Sequence, residues 1–156
     1  MVAGEYSRVN FSPLPHNRLW KAFGDSANLI PKLLPELIPS IEVLEGDGGA
    51  GTVQKFNLKH GPPLKTHVLV MDHEKHLYKY AIIEGGPIGT LLKSCTFQTT
   101  MEASSEGGTK NTLNVEYETL GDNPLTEAEL AQVVGGVPGL AQAMEGYLVA
   151  NPDAYV

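Results

Sequence analysis

Residues 76–86 read HLYKYAIIEGG, and the fold turns on this run. With a period of two, Tyr78, Tyr80 and Ile82 share one face, while Leu77, Lys79, Ala81 and Ile83 share the other. Aromatic and β-branched residues in alternation, closed by a glycine pair, describe a strand. The runs on either side repeat the pattern: 52–59 (TVQKFNLK), 64–71 (LKTHVLVM), 92–101 (LKSCTFQTTM) and 109–118 (TKNTLNVEYE). Cys95, Phe97 and Thr99 align on one face of their strand, and Leu113 and Val115 on one face of theirs. The links HGPP, MDHE, GGPIG and SSEGG are too short for crossover helices, so successive strands form an antiparallel meander. Tyrosines set among aliphatics suit either an apolar pocket with a few hydroxyls to orient a ligand or a core with tyrosine tips at its rim.

Outward from this block the period changes. Residues 4–11 (GEYSRVNF) alternate weakly, as a strand stopped by Pro13. Leu19, Trp20 and Phe23 follow at helical spacing, with Pro15 suited to a first turn. A second short helix carries Leu29, Ile30, Leu33 and Leu34, with Asp25 or Ser26 as cap and Pro31 keeping it short. A strand from residue 40 then enters the glycine-rich turn GDGGAGT (46–52). After Asp122 the helical period returns: Leu125, Leu130, Val133, Val134, Val137, Leu140, Met144 and Tyr147 form one apolar stripe. Thr126 and Glu129 have capping-box spacing. The segment GGVPG (135–139) predicts a kink or break, because Pro138 removes a backbone donor. Six or seven strands, two short helices and a long C-terminal helix define an α+β domain.

The 156 residues fit one domain, 1–156. Eleven basic against eighteen acidic side chains leave a net charge of -7, the wrong sign for a nucleic-acid platform. A single cysteine cannot form an internal disulfide, which makes the cytoplasm the expected compartment. The opening MVAGEYSRVNF lacks the apolar run of a secretory signal, and no stretch has the length for a membrane span.

Chemistry-bearing motifs are sparse. The loop containing Gly46, Gly48, Gly49 and Gly51 lacks the GK[ST] ending of a phosphate loop and joins strand to strand, so a tight turn accounts for it. Among His16, His60, His67, His73 and His76 there is no zinc signature, and His73 and His76 bracket a turn. Neither a metal nor a cofactor is expected. Cys95, in mid-strand, reads as a small buried hydrophobe. Glu84 and Glu145 are carboxylates that could face one cavity.

The loop GDGGAGT after EVLE, the run YKYAIIEGGPIG and the ending EGYLVANPDAYV together resemble the major birch pollen allergen family, the plant pathogenesis-related class 10 proteins. NLIPKLLP (28–35) and the MDHEK turn (71–75) agree with it. The resemblance implies a helix-grip fold: a seven-stranded curved antiparallel sheet gripping the long C-terminal helix, two short helices in a V, and a large internal cavity. It implies a monomer that binds hydrophobic or amphipathic plant small molecules, such as cytokinins, flavonoids or sterols, as carrier or store. By position it implies a lining of Phe23, Asn28, Ile30, Ile38, Phe56, Leu58, Tyr78, Tyr80, Ile82, Cys95, Phe97, Leu113, Val134 and Leu140.

Departures from the family narrow the activity. Of the residues assigned to ribonuclease activity in some members, Gln54 and Lys93 replace the loop lysine and the glutamate, while Glu145 and Tyr147 remain. Against norcoclaurine synthases, Tyr78 and Thr66 stand at the positions of the catalytic lysine and glutamate, which they cannot replace. The gate and latch motifs of the related hormone receptors are absent. An enzyme of specialised metabolism would have to draw on Glu84, Tyr78, Tyr80 or His67. The link HGPP is about three residues shorter than usual in the family, and GGVPG falls where most members keep an unbroken helix; both changes would reshape the cavity entrance.

Overall fold

The computed structural model describes residues 1–156. Strand β1 (Ala3–Ser12) leads into helices α1 (His16–Gly24) and α2 (Ser26–Leu33), then β2 (Ser40–Glu45), β3 (Val53–Asn57), β4 (Leu64–Asp72), β5 (Leu77–Glu84), β6 (Leu92–Ala103) and β7 (Thr109–Thr119). Helices α3 (Glu127–Val134) and α4 (Gly136–Ala150) complete the chain. The seven strands form one antiparallel sheet in the order β1-β7-β6-β5-β4-β3-β2. The meander of β2 to β7 follows the chain, and β1 closes the far edge by pairing with β7 from Ala3↔Glu118 to Ser12↔Thr109.

Register shifts at Val43/Glu45, Lys65/Thr66, Val68/Val70 and Leu92/Ser94 mark where the sheet bends. An irregularity of this kind opposes two residues to one and steepens the local twist, which lets a sheet wrap a helix. Glycine is required at two of the turns. Gly85 (φ 80°) and Gly108 (φ 80°) take left-handed backbone, and a Cβ on either would collide with a carbonyl oxygen, of Pro63 and Ser12 respectively.

The ends of the helices follow their sequence signals unevenly. At α3 the capping box forms: Glu129 N donates to Thr126 Oγ1 at 3.2 Å and Thr126 N to Glu129 Oε1 at 3.0 Å. At α2 the expected side-chain cap does not. Asp25 instead accepts from Asn28 Nδ2 at 2.8 Å and from the Tyr155 hydroxyl, while the Ser26 hydroxyl turns back to the Phe23 carbonyl. The stripe of the last helix is interrupted at Gly135, between α3 and α4. Pro138 has no N–H to offer the Val134 carbonyl, and its ring crowds that turn, so the chain bends where two glycines permit it.

The interior is built from two apolar cores. One joins Leu14, Leu19, Trp20, Ala22, Leu29, Met101, Met144 and Leu148 at the α1/α2 end. The other joins Ile82, Leu92, Cys95, Phe97, Leu113, Val115, Val133 and Val134 beneath α3. Arg18 fastens the first core to the end of the chain. Buried in α1, it donates to the carbonyls of Leu148 (2.6 Å), Asn151 (2.5 Å) and Ala154 (2.8 Å), at and just beyond the end of α4, where backbone carbonyls lack intrahelical donors.

Candidate functional site

The strand register fixes what the sheet presents to the helices. One row crosses it as Val68, Tyr80, Phe97, Val115 and Tyr6, and the next as Met71, Tyr78, Thr99 and Leu113. Thr66 and Ile82 form a third. Alternation sends Lys79, Gln98 and Asn114 to the opposite face, together with Thr96 and Glu116.

Along the inner face the aromatic rings form a continuous ladder. Tyr80 stacks on Phe97 with centroids 5.3 Å apart, and Tyr78 leans on Tyr80 at 5.3 Å. Phe23 of α1 meets Tyr78 edge-on at 5.1 Å. The ladder crosses the gap between the two cores, since Tyr78 packs on the first and Tyr80 on the second. Ile30 and Ile38 are buried, and Phe56, Leu58 and Leu140 half-buried, without joining either core. Of the fourteen residues named from the resemblance, thirteen are thus buried or half-buried. Asn28 stands apart: exposed on α2 and bonded to Asp25, it turns away while Leu29 and Ile30 turn in.

The polar atoms of this interior are undersupplied. The tyrosine hydroxyls that find side-chain partners are those of Tyr147 and Tyr155, not those of Tyr78 and Tyr80. Thr66 Oγ1 and Asn111 Oδ1 are buried with no partner. Burial pushes the Tyr78 phenol up to about 12. Tyr80 is pushed higher still, by burial first and then by the neighbouring Tyr78 and Cys95. Burial likewise raises the Cys95 thiol to about 12, which makes it a poor nucleophile. Sequence reasoning reached Thr66 only by comparison with an enzyme and missed Asn111, whose even spacing from Leu113 and Val115 was the available signal.

The acid–base candidates do not assemble. Glu84 is exposed and pairs with Lys65 at 2.9 Å. His67 lies next to Thr66 on its strand and so faces the other way. Glu145 accepts from the Ser12 hydroxyl at 3.2 Å. In the glycine loop, Gly46, Gly48 and Gly51 all take positive φ. Two loop amides are already committed, Gly48 N to Thr52 Oγ1 (2.9 Å) and Gly49 N to Asp47 Oδ1 (3.1 Å), so the loop is a hairpin rather than a phosphate cradle. His76, at the end of its turn, is half-buried against Trp20. Two grooves, of about 380 and 650 Å³, lie between β1, β7, β6 and β5 and are lined largely by outward groups such as Glu5, Thr96 and Glu116. They are polar and distinct from the aromatic ladder.

A seven-stranded sheet closed over a bent C-terminal helix, with two short helices at one end, is the helix-grip class. Within it, the chain belongs to the pathogenesis-related protein Bet v 1 family, whose pattern matches residues 2–151. It is 36% identical over 154 residues to the major pollen allergen Bet v 1-M/N of Betula pendula, covering 96% of each chain. It is 37% identical over 150 residues to the major strawberry allergen Fra a 1-2 of Fragaria ananassa, covering 92% of each. Among solved structures, Ara h 8.0201 superposes with a TM-score of 0.87 at 33% identity, over 96% of this chain and all of that one. Norcoclaurine synthase from Thalictrum flavum, in complex with dopamine and hydroxybenzaldehyde, superposes at 0.75 with 18% identity, over 96% of this chain and 88% of that one, a likeness of fold alone. No helix is long and apolar enough to cross a membrane.

Proposed function

We propose that this protein binds a hydrophobic or amphipathic small molecule between the concave face of the sheet and the bent α3–α4 helix, and carries or stores it unchanged. The observation that carries the reading is the aromatic ladder on an inner sheet face where Thr66 Oγ1 and Asn111 Oδ1 are buried without partners and the Tyr78 and Tyr80 hydroxyls make no hydrogen bond to the protein. Buried polar groups without partners are costly, and a ligand bearing its own donors and acceptors would relieve that cost. The apolar majority of the lining supplies the driving force, and the hydroxyls orient the ligand's polar end. The bend at Gly135 and the short link at residues 60–63 shape the way in. Glu84 and His67 point elsewhere, which favours binding over acid–base catalysis.

Native mass spectrometry of the protein isolated from plant tissue tests this reading. One intact metabolite per chain, recovered at the same mass after incubation, supports a carrier. Release of a chemically altered product from that metabolite contradicts it.

A further inference from the structure

His16 opens α1 and His76 ends the turn between β4 and β5, yet their Nδ1 atoms lie 3.1 Å apart with ring centroids at 5.0 Å. Both rings are half-buried, so one side of the pair faces solvent. His76 is held in place from several directions. Its ring stacks on Trp20 at 5.0 Å with 12° between planes, its φ is 50°, and its carbonyl accepts from Met101 N at 3.0 Å. Trp20 is itself fixed, since its Nε1 donates to His73 Nδ1 at 3.0 Å.

Two neutral imidazoles can make this contact only if one Nδ1 carries a proton and the other does not. A cation can take that proton's place. Imidazole nitrogens bind transition metals at about 2.0–2.1 Å, so two ligands at cis angles of about 90–109° sit roughly 2.8–3.4 Å apart. The observed separation of 3.1 Å falls within that interval.

We propose that His16 and His76 chelate a divalent transition-metal cation through their Nδ1 atoms, with water filling the remaining positions. Imidazole donors select copper, nickel or zinc over calcium or magnesium, and copper(II) binds such a pair most tightly. No third histidine, cysteine or carboxylate completes a cluster, so the site is open and its cation exchangeable.

The chain has a built-in reporter, because Trp20 is its only tryptophan and lies against His76. Titrating the full-length protein with copper(II) at neutral pH should quench Trp20 fluorescence saturably at one equivalent, with recovery on adding a chelator. His16→Gln, and His76→Asn, chosen because asparagine tolerates left-handed backbone, should each weaken binding by about tenfold or more. His60→Gln should leave it unchanged. Absence of saturable quenching in the wild type, or unaltered affinity in His16→Gln, overturns the proposal. Should His76→Asn fail to fold, His16→Gln alone decides.

Discussion

Tyr80 is the residue at which stability and binding separate. Its hydroxyl makes no hydrogen bond to the protein, so Tyr80→Phe should leave folding stability within about 1 kcal/mol of the wild type in urea unfolding. The same variant should weaken binding of a hydroxylated aromatic ligand by about tenfold, roughly one net hydrogen bond, in calorimetric titration. A second consequence concerns pH. The folded state holds the Tyr78 phenol neutral up to about 12, and Tyr80 beyond that, whereas unfolded phenols ionise near 10. Because folding raises both pKa values, their stabilising contribution is whole below pH ~10 and is lost as pH rises through 12. Denaturation midpoints at pH 9 and 11 should differ, and Tyr78→Phe should narrow the gap. The inward face carrying these tyrosines was legible from alternation alone. The missing partners were not, because a hydrogen bond depends on atoms brought from other strands by register. Asn28 shows the opposite limit: a family position does not say which way a helix has turned.

At the scale of elements, the bend between α3 and α4 makes the sharpest prediction. A Cβ on Gly135 would lie 2.5 Å from the Ala131 carbonyl oxygen, whereas one on Gly139 would meet nothing within 4 Å. Gly135→Ala should therefore destabilise the protein by about 1–3 kcal/mol, the range for overpacking against backbone. Gly139→Ala should stabilise it by about 0.5–1 kcal/mol through helix propensity alone. Thermal unfolding of the two variants side by side checks the contrast. GGVPG announced the interruption in the sequence, since proline's missing donor is a local property. The sheet bulges were not legible, because each is a mismatch between two strands and no single strand records it. Arg18 belongs to this scale too. Its guanidinium donates to three carbonyls at and just beyond the C-terminal end of the last helix, and Arg18→Leu should cost about 2–4 kcal/mol by leaving them without a charged donor. Nothing local to residue 18 pointed to partners at the other end of the chain.

For the molecule as a whole, the meander of β2 to β7 followed from link lengths and the α+β class from a change of period, whereas the place of β1 beside β7 did not. The division of the interior into two cores did not, since it depends on how far the bent helix stands from the sheet. The proposed ligand site accordingly runs along the aromatic ladder between the cores, not through the polar grooves outside. Chemical-shift mapping with 8-anilinonaphthalene-1-sulfonate as an amphipathic probe tests it most directly. Saturable shifts are expected at Tyr78, Tyr80, Phe97, Val134 and Leu140, with Lys79, Thr96 and Glu116 unmoved. Shifts confined to Glu5, Thr96, Glu116 and their neighbours on the outer face would contradict it.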